Sequence, residues 1–493
     1  MEDLKDIKAK AITGSVWSIV EKFSLQIVQF IVGIVLARLL GPAEFGLVAM
    51  TTIFLTIPMV IAEGGFEKSL IREEHLTDEQ VSTVFYVNFG LSILMSLLVC
   101  VASPFIANFF HEPQLKKVLM VLSIGLPIDA LGQTQRTLLN RNLQFKKISI
   151  AQIVCSLVTG ITGIALAFSG FGVWSLVYSS LAGTLTWVCI YWMGSSWYPQ
   201  RLFSYSSIKH IVPFGLNILG TGLLVNLLQQ FNNFIVGRYF NKTILGEFNR
   251  GSKFPDMVSG IIQSVVIKIS FPIFVKLKNN EYHLNSALRK SFGISALISF
   301  PLLAFLFIDA RDIVLLLLTD KWLGCVGFLK LFCIYKLFEP FISIQRELLL
   351  AKGYARLLLR LFVATSLLEI IPILLFVRHG IIWVIWISII SKTIQYITYH
   401  LVVSAKLKVN IWGMITWLLP HICITTVVVS CILLLQMIIS PNIKANLPAK
   451  LSIDFITGAS IYFSVGFLFR LKEMEFIKLG TSFFKTTVSE KAV

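Results

Sequence analysis

The side chains best suited to chemistry are polar groups set inside apolar runs. Between Ser15 and Leu40 the chain is hydrophobic, yet Lys22, Gln26, Gln29 and Gly33 recur at helical spacing and so share one face. A second run, Leu216 to Tyr239, carries Asn226, Gln230, Asn233 and Gly237 in the same pattern. A shift of 204 positions superimposes the two sets and carries Phe30-Ile31-Val32-Gly33 onto Phe234-Ile235-Val236-Gly237. Amides both donate and accept, which suits sugar hydroxyls, while lysine ammonium groups suit a phosphate. Together with Lys268, these side chains form the expected substrate cavity: Lys22, Gln26, Gln29, Asn226, Gln230, Asn233 and Lys268. Two other readings stay open. Lysines near a span end can snorkel to the interface, and amides can serve as interhelical hydrogen bonds.

A second repeat joins charges. Asp129, Gln135, Arg136, Leu138 and Leu139 return 210 residues later as Glu339, Gln345, Arg346, Leu348 and Leu349. An acid followed seven residues on by arginine spans two turns on one face, so Asp129 with Arg136 and Glu339 with Arg346 are expected to be structural or gating ion pairs. Glu369 and Lys392 form either a buried pair or a proton or sodium relay. A charge at the bilayer centre costs about 2.5 to 3.5 kcal/mol on insertion scales, so each of these groups needs a reason to be there. Catalytic motifs are absent: the sequence holds no HExxH, GxSxG or GxxxxGK[ST]. His421 has no ligand at metal spacing and reads as a structural histidine, and the seven cysteines form no CxxC pair. No cofactor is expected, which leaves a proton or sodium gradient as the available energy source.

The elements that position these groups are membrane helices. With 56% hydrophobic and 14% charged residues among 493, and a mean hydropathy of +0.80, the chain is too apolar for a soluble protein of this length. A net charge of +17 would suit a nucleic-acid partner, but the basic residues lie in short loops between spans, so no nucleic acid is expected. Hydropathy gives an all-α protein of about 14 transmembrane helices. About 26 Lys and Arg fall in the loops and tail on the side of the N terminus against about 12 opposite, which puts both termini in the cytoplasm. The expected organisation is an N-terminal lobe over 1–205, a C-terminal lobe over 206–405, an appended helix pair over 406–470 and a cytoplasmic tail over 471–493. Six spans per lobe imply parallel halves related by a pseudo-two-fold axis along the membrane normal. The last two spans have no counterpart and are poor in ionisable groups, a peripheral pair. Loops of at most about 20 residues leave no room for an extramembrane catalytic domain.

Two stretches carry a family likeness. Leu36-Ala37-Arg38-Leu39-Leu40-Gly41-Pro42-Ala43-Glu44-Phe45-Gly46 and Asn140-Arg141-Asn142-Leu143-Gln144-Phe145-Lys146-Lys147 resemble the polysaccharide-transport branch of the multidrug, oligosaccharidyl-lipid and polysaccharide exporter superfamily, nearest to Wzx-type flippases of the colanic-acid-exporter kind. The resemblance implies two six-helix lobes around a V-shaped, positively charged cavity, with two extra helices beside the second lobe. It also implies the activity: carrying an undecaprenyl-pyrophosphate-linked oligosaccharide from the inner to the outer leaflet of the bacterial plasma (inner) membrane for O-antigen, capsule or exopolysaccharide synthesis. Membrane lipids, a polysaccharide polymerase and glycosyltransferases are the implied partners. Related lipid-linked precursor flippases hold the pyrophosphate with cavity arginines, whereas this chain offers mainly lysines in its spans. Alternatives are a lipid II-type flippase and a drug exporter of the same superfamily. A cation exporter would want an acidic cavity, and a membrane glycan polymerase or ligase would want a large outer loop.

Overall fold

In a computed structural model, which describes residues 4–407, 411–438 and 446–468, every regular element among the described residues is a helix. Twelve of these helices are long and apolar enough to cross a membrane. Only helices and closed barrels satisfy all backbone groups in lipid, and the chain is a multi-pass, all-α membrane protein. The expected tail, 471–493, lies outside the described residues. Two compact units divide the chain, Met1–Glu247 and Phe248–Val493.

Unit 1 holds α1 (Leu4–Leu39), α2 (Pro42–Glu63), α3 (Phe66–Arg72), α4 (Asp78–Phe110), α5 (Pro113–Ser123), α6 (Gly125–Arg141), α7 (Phe145–Phe168), α8 (Val173–Gly194), the single turn α9 (Tyr205–Ile208), α10 (Val212–Tyr239) and the first turn of α11 (Lys242–Leu277). Local chemistry sets the ends. Pro42 occupies the first turn of α2, where a missing N–H leaves nothing unpaired, and the Glu44 carboxylate accepts from the Gly41 N–H at 3.0 Å. Gly64 and Gly65, both left-handed at φ 57° and 70°, turn the chain from α2 into α3. At the start of α4, Thr77 and Gln80 cap one another, side chain to backbone, at 3.1 and 3.2 Å.

Helix α10 runs antiparallel to α2; the turn after α2 touches the start of α10 backbone to backbone, and the start of α2 touches the first turn of α11 in the same way. A Cβ on Gly65 would lie 2.3 Å from the Gly215 carbonyl oxygen; a Cβ on Gly46 would lie 1.7 Å from that of Lys242, and one on Gly246 would lie 1.9 Å from that of Pro42. Between these crossings the Thr52 hydroxyl donates to Gln230 Oε1 at 3.3 Å.

Unit 2 holds the rest of α11, then α12 (Glu281–Ile308), α13 (Ala310–Leu317), α14 (Cys325–Lys336), α15 (Glu339–Ala351), α16 (Ala355–Phe376), α17 (Ile381–Leu407), α18 (Ile411–Ile438) and α19 (Leu447–Leu468). Its main core gathers Phe274, Leu288, Phe292, Phe341, Leu348 and Val403. A second cluster, Leu297, Ile424, Val428, Ile432 and Tyr462, fastens α18 and α19 to α12. Ionisable groups are few on these helices, but those few tie them by charge. Gln436 Nε2 donates to Asp309 Oδ1 at 3.0 Å and Asp454 Oδ2 at 2.9 Å, and Lys450 bonds the Asp312 carboxylate. Both Asp309 and Asp454 are buried. His421 Nδ1 meets the Tyr462 hydroxyl at 3.0 Å in the same interface, the structural part expected of it.

The expected fourth and tenth spans are each two helices, α5 with α6 parting at Ile124, and α14 with α15 parting at Leu337 and Phe338. Pro340 in the first turn of α15 has no N–H to continue α14. Helix ends also fix the register of the repeat. Arg141 and Ala351 end α6 and α15, and Phe145 and Ala355 open α7 and α16, so the 210-residue shift read from the charges holds. At the front the shift is 200, not 204: α1 and α10 end at Leu39 and Tyr239, and α2 and α11 open at Pro42 and Lys242. Four residues are close to one helical turn of 3.6, so the wrong shift still kept the right face. In the corrected register Gln26 corresponds to Asn226 and Gln29 to Gln229.

Candidate functional site

In unit 1 the helices α1, α2, α6, α7 and α8 surround a cavity of about 540 Å³, a size typical of small-molecule sites. Its polar wall comprises Asp129, Arg136, Gln152, Thr159, Ser180 and Thr184, with the Trp187 ring among the apolar groups. Thr159 donates to the Cys155 carbonyl at 2.8 Å and Thr184 to that of Ser180 at 3.1 Å. Each hydroxyl thereby keeps lone pairs to offer as an acceptor. Arg136 is exposed and supplies donors, while Asp129 and Gln152 complete a wall of mixed polarity whose two charges cancel. Asp129 accepts from Gln133 Nε2 at 2.9 Å. The ion pair expected between Asp129 and Arg136 is replaced by this bond, because a partner four residues on stands one turn away and one seven residues on stands two.

The amide stripes divide. Asn226 donates to the Gly222 carbonyl of its own helix at 2.9 Å, and Asn233 donates to Gln230 Oε1 at 3.1 Å, the oxygen that Thr52 also reaches. Gln230 thus acts as a hydrogen-bond link between α2 and α10. Lys22 and Gln29 are exposed and Gln26 is half-buried, all in unit 1, while the exposed Lys268 belongs to unit 2. Glu21 accepts from the Ser149 hydroxyl at 2.7 Å, joining α1 to α7.

Unit 2 carries a charge network around the α14–α15 break. Lys392 Nζ lies 2.7 Å from Glu339, and Lys336 Nζ lies 2.8 Å from Asp256. The Tyr335 ring takes both ammonium groups, at 5.3 Å from Lys336 and 5.4 Å from Lys392. This arrangement corrects one expectation: Glu339 pairs with Lys392 rather than Arg346, whose Nε lies 3.7 Å from Glu347. Glu369 accepts from the Ser388 hydroxyl at 2.8 Å. Sequence reading passed over Asp256, and the signal for it was slight: a lone acid one residue after Pro255 in a helix rich in polar residues.

Residues 35–327 match the family model described as "Polysaccharide biosynthesis protein". The chain is 24% identical over 418 residues to the teichuronic acid biosynthesis protein TuaB of Bacillus subtilis (strain 168), covering 83% of this chain and 85% of that one. With the lipopolysaccharide biosynthesis protein WzxC of Escherichia coli (strain K12) it shares 22% identity over 353 residues, 70% of this chain and 71% of that one. Among solved structures it resembles the lipid II flippase MurJ in an inward closed conformation, with a TM-score of 0.75 at 16% identity over 92% of this chain and 99% of that chain. It also resembles an inward-facing multidrug resistance MATE family transporter of the MOP superfamily, with a TM-score of 0.60 at 15% identity over 78% of this chain and 95% of that chain. The chain is a transporter rather than an enzyme, and it belongs to the polysaccharide biosynthesis protein family.

Proposed function

We propose that the protein is a flippase that moves an undecaprenyl-pyrophosphate-linked oligosaccharide repeat unit from the inner to the outer leaflet of the bacterial plasma membrane by alternating access, with both termini in the cytoplasm. The observation that carries this reading is the 540 Å³ cavity among the helices of unit 1, with polar and charged groups set in its wall. Its wall of hydroxyl, amide, carboxylate and guanidinium groups complements sugar hydroxyls, each of which donates and accepts. Asp129 and Arg136 both stand on that wall, and their opposite charges leave no net charge to attract a cationic drug. The polyprenyl tail stays in the bilayer, where it is already solvated, while the head group needs the polar route.

Expression in a strain lacking its own flippase, followed by sugar analysis of the exported polymer, tests the proposal. Restored polymer at the cell surface is the expected result. Accumulation of the lipid-linked unit on the cytoplasmic side, at normal abundance of the protein, would overturn it.

A further inference from the structure

Between the end of α8 at Gly194 and the start of α10 at Val212 the chain runs as a strap, relieved only by the single turn α9. Its inner side is clamped to the first turns of α4. The Gln200 N–H donates to the Ser82 hydroxyl at 3.1 Å, and Gln200 Nε2 donates to the Asp78 carboxylate at 3.0 Å. The Ser204 N–H donates to the Thr83 hydroxyl at 3.1 Å, and Gln80 Nε2 donates to the Ser207 carbonyl at 3.2 Å. Ser82 and Thr83 are fully buried beneath the strap. Ile208 and Ile211 pack with Phe66, Leu70 and Val84, and the Trp197 ring meets Phe85 edge-on at 6.2 Å. The backbone is thereby fixed, and the side chains between the clamps are turned outward.

Outside stand Tyr198, Leu202, Phe203 and Tyr205, which are 61%, 43%, 65% and 60% exposed. Four large apolar or aromatic groups within eight residues mark an interaction surface rather than a loop facing water. Depth indicates what covers it. Helix α4 has 33 residues, a length of about 50 Å against a hydrocarbon core of about 30 Å, so its end turns reach the headgroup layer. The strap bound to those turns lies at the same depth.

Charge narrows the choice further. Arg201 and Lys209 are exposed beside the rings, and neither forms an ion pair among the described residues. From Ala130 to Gly246 the sequence holds no Asp or Glu, so the strap brings no acid of its own. Of the acids on the neighbouring turn, Glu73 lies 3.3 Å from His210 and Asp78 is taken by Gln200. Aromatic rings set among unpaired cations suit an interface that is apolar below and anionic above.

We infer that the strap over 195–211 docks on the membrane surface, its outer rings entering the leaflet and Arg201 and Lys209 taking the phosphates of anionic phospholipids. The strap runs directly into α10, so lipid held there also fixes the entry of that helix. That the leaflet is the inner one rests on the proposed topology; the dock itself does not.

The test uses the full chain in nanodiscs of phosphatidylcholine, alone or mixed with phosphatidylglycerol, with Phe203 exchanged for a fluorescent amino acid. The expected result is quenching by nitroxide-labelled lipid and little quenching by aqueous iodide. In parallel, phosphatidylglycerol should raise the unfolding midpoint of the parent chain by a few degrees, an effect that about 0.5 M salt removes. Arg201→Gln combined with Lys209→Gln should erase this rise and leave the midpoint in phosphatidylcholine unchanged, whereas Arg201→Lys should keep it. Iodide quenching at position 203 would place the strap in water and overturn the inference. Shielding from both quenchers would show a protein cover and overturn it too. Equal midpoints in the two lipids, or a full rise in the double variant, would remove the anionic headgroup from the site. Neither readout involves transport: a docked strap without polymer export would sink only the flippase reading, and export with the strap in water only this one.

Discussion

Arg136 stands on α6 in the wall of the 540 Å³ cavity, exposed and without the acid that its spacing from Asp129 suggested. Arg136→Gln should therefore leave abundance and melting temperature nearly unchanged, within about 0.5 kcal/mol as for exposed positions, while polymer export falls at least tenfold. Immunoblotting beside surface-polymer measurement checks both halves; a collapse in abundance would return the residue to a structural part. Leu143 is a second residue with an unusual duty. Its φ of 55° is left-handed, and at the equivalent place 210 residues on the chain uses Gly353 at φ 85°. A side chain in that region is strained, so Leu143→Gly should raise stability by about 0.5 to 1 kcal/mol, read as a higher unfolding midpoint. Sequence alone exposed Asp129, Arg136 and their copies because an acid and an arginine seven apart stand out in an apolar run. It did not expose Gln152, Thr159 and Thr184, which meet on the same wall only because α7 and α8 bring them together from separate stretches.

The elements of unit 2 owe much of their register to charge. Glu339 and Lys392 have side chains 21% and 13% exposed, so removing one partner strands the other in a poorly solvated place. Lys392→Met should cost about 3 to 5 kcal/mol, and adding Glu339→Leu should recover most of it, which a double-mutant cycle on unfolding midpoints would register. The knot that holds α18 and α19 responds to pH. Burial, and after it the nearby Asp454 charge, pushes the Asp309 carboxyl up from its ordinary 3.8 to about 7. The folded state thus favours the protonated form. Its contribution to stability is fullest at low pH and is lost as pH rises from about 4 through about 7. A melting temperature that falls between pH 5 and pH 8 in the parent chain and stays flatter in Asp309→Asn is the expected outcome. Hydropathy located these helices well, since long apolar runs leave little choice in lipid. It misjudged how the last pair is attached, because Asp454 and Lys450 are too few to mark a run as charged and matter only through Asp309 and Asp312, more than a hundred residues away. The breaks at Ile124 and Leu337 were likewise hidden, since an apolar helix pair and an apolar single helix share the same hydropathy.

At the scale of the whole molecule, the duplication was legible and its offset was not. The match of Phe30-Ile31-Val32-Gly33 with Phe234-Ile235-Val236-Gly237 lies one turn from the register that the helix ends give, and β-branched apolar residues are common enough in such runs to repeat by coincidence. Identity of the transported sugar has no counterpart in the pattern of residues at all, because hydroxyl recognition needs only generic donors and acceptors. Swapping the gene between strains with different polymers should therefore give partial complementation, with export efficiency following the substrate's sugars; full export of every polymer would argue against recognition of the glycan.

The meeting of Gly65 with Gly215 at the start of α10, and of Gly46 with Gly246 in the first turn of α11, has a mechanical result. Main chains this near act as rivets at both ends of the contact, and a methyl group at Gly46 or Gly246 would prise them open. Helix α10, the sixth long apolar helix, is thereby fastened within the first unit by the chain at each of its ends.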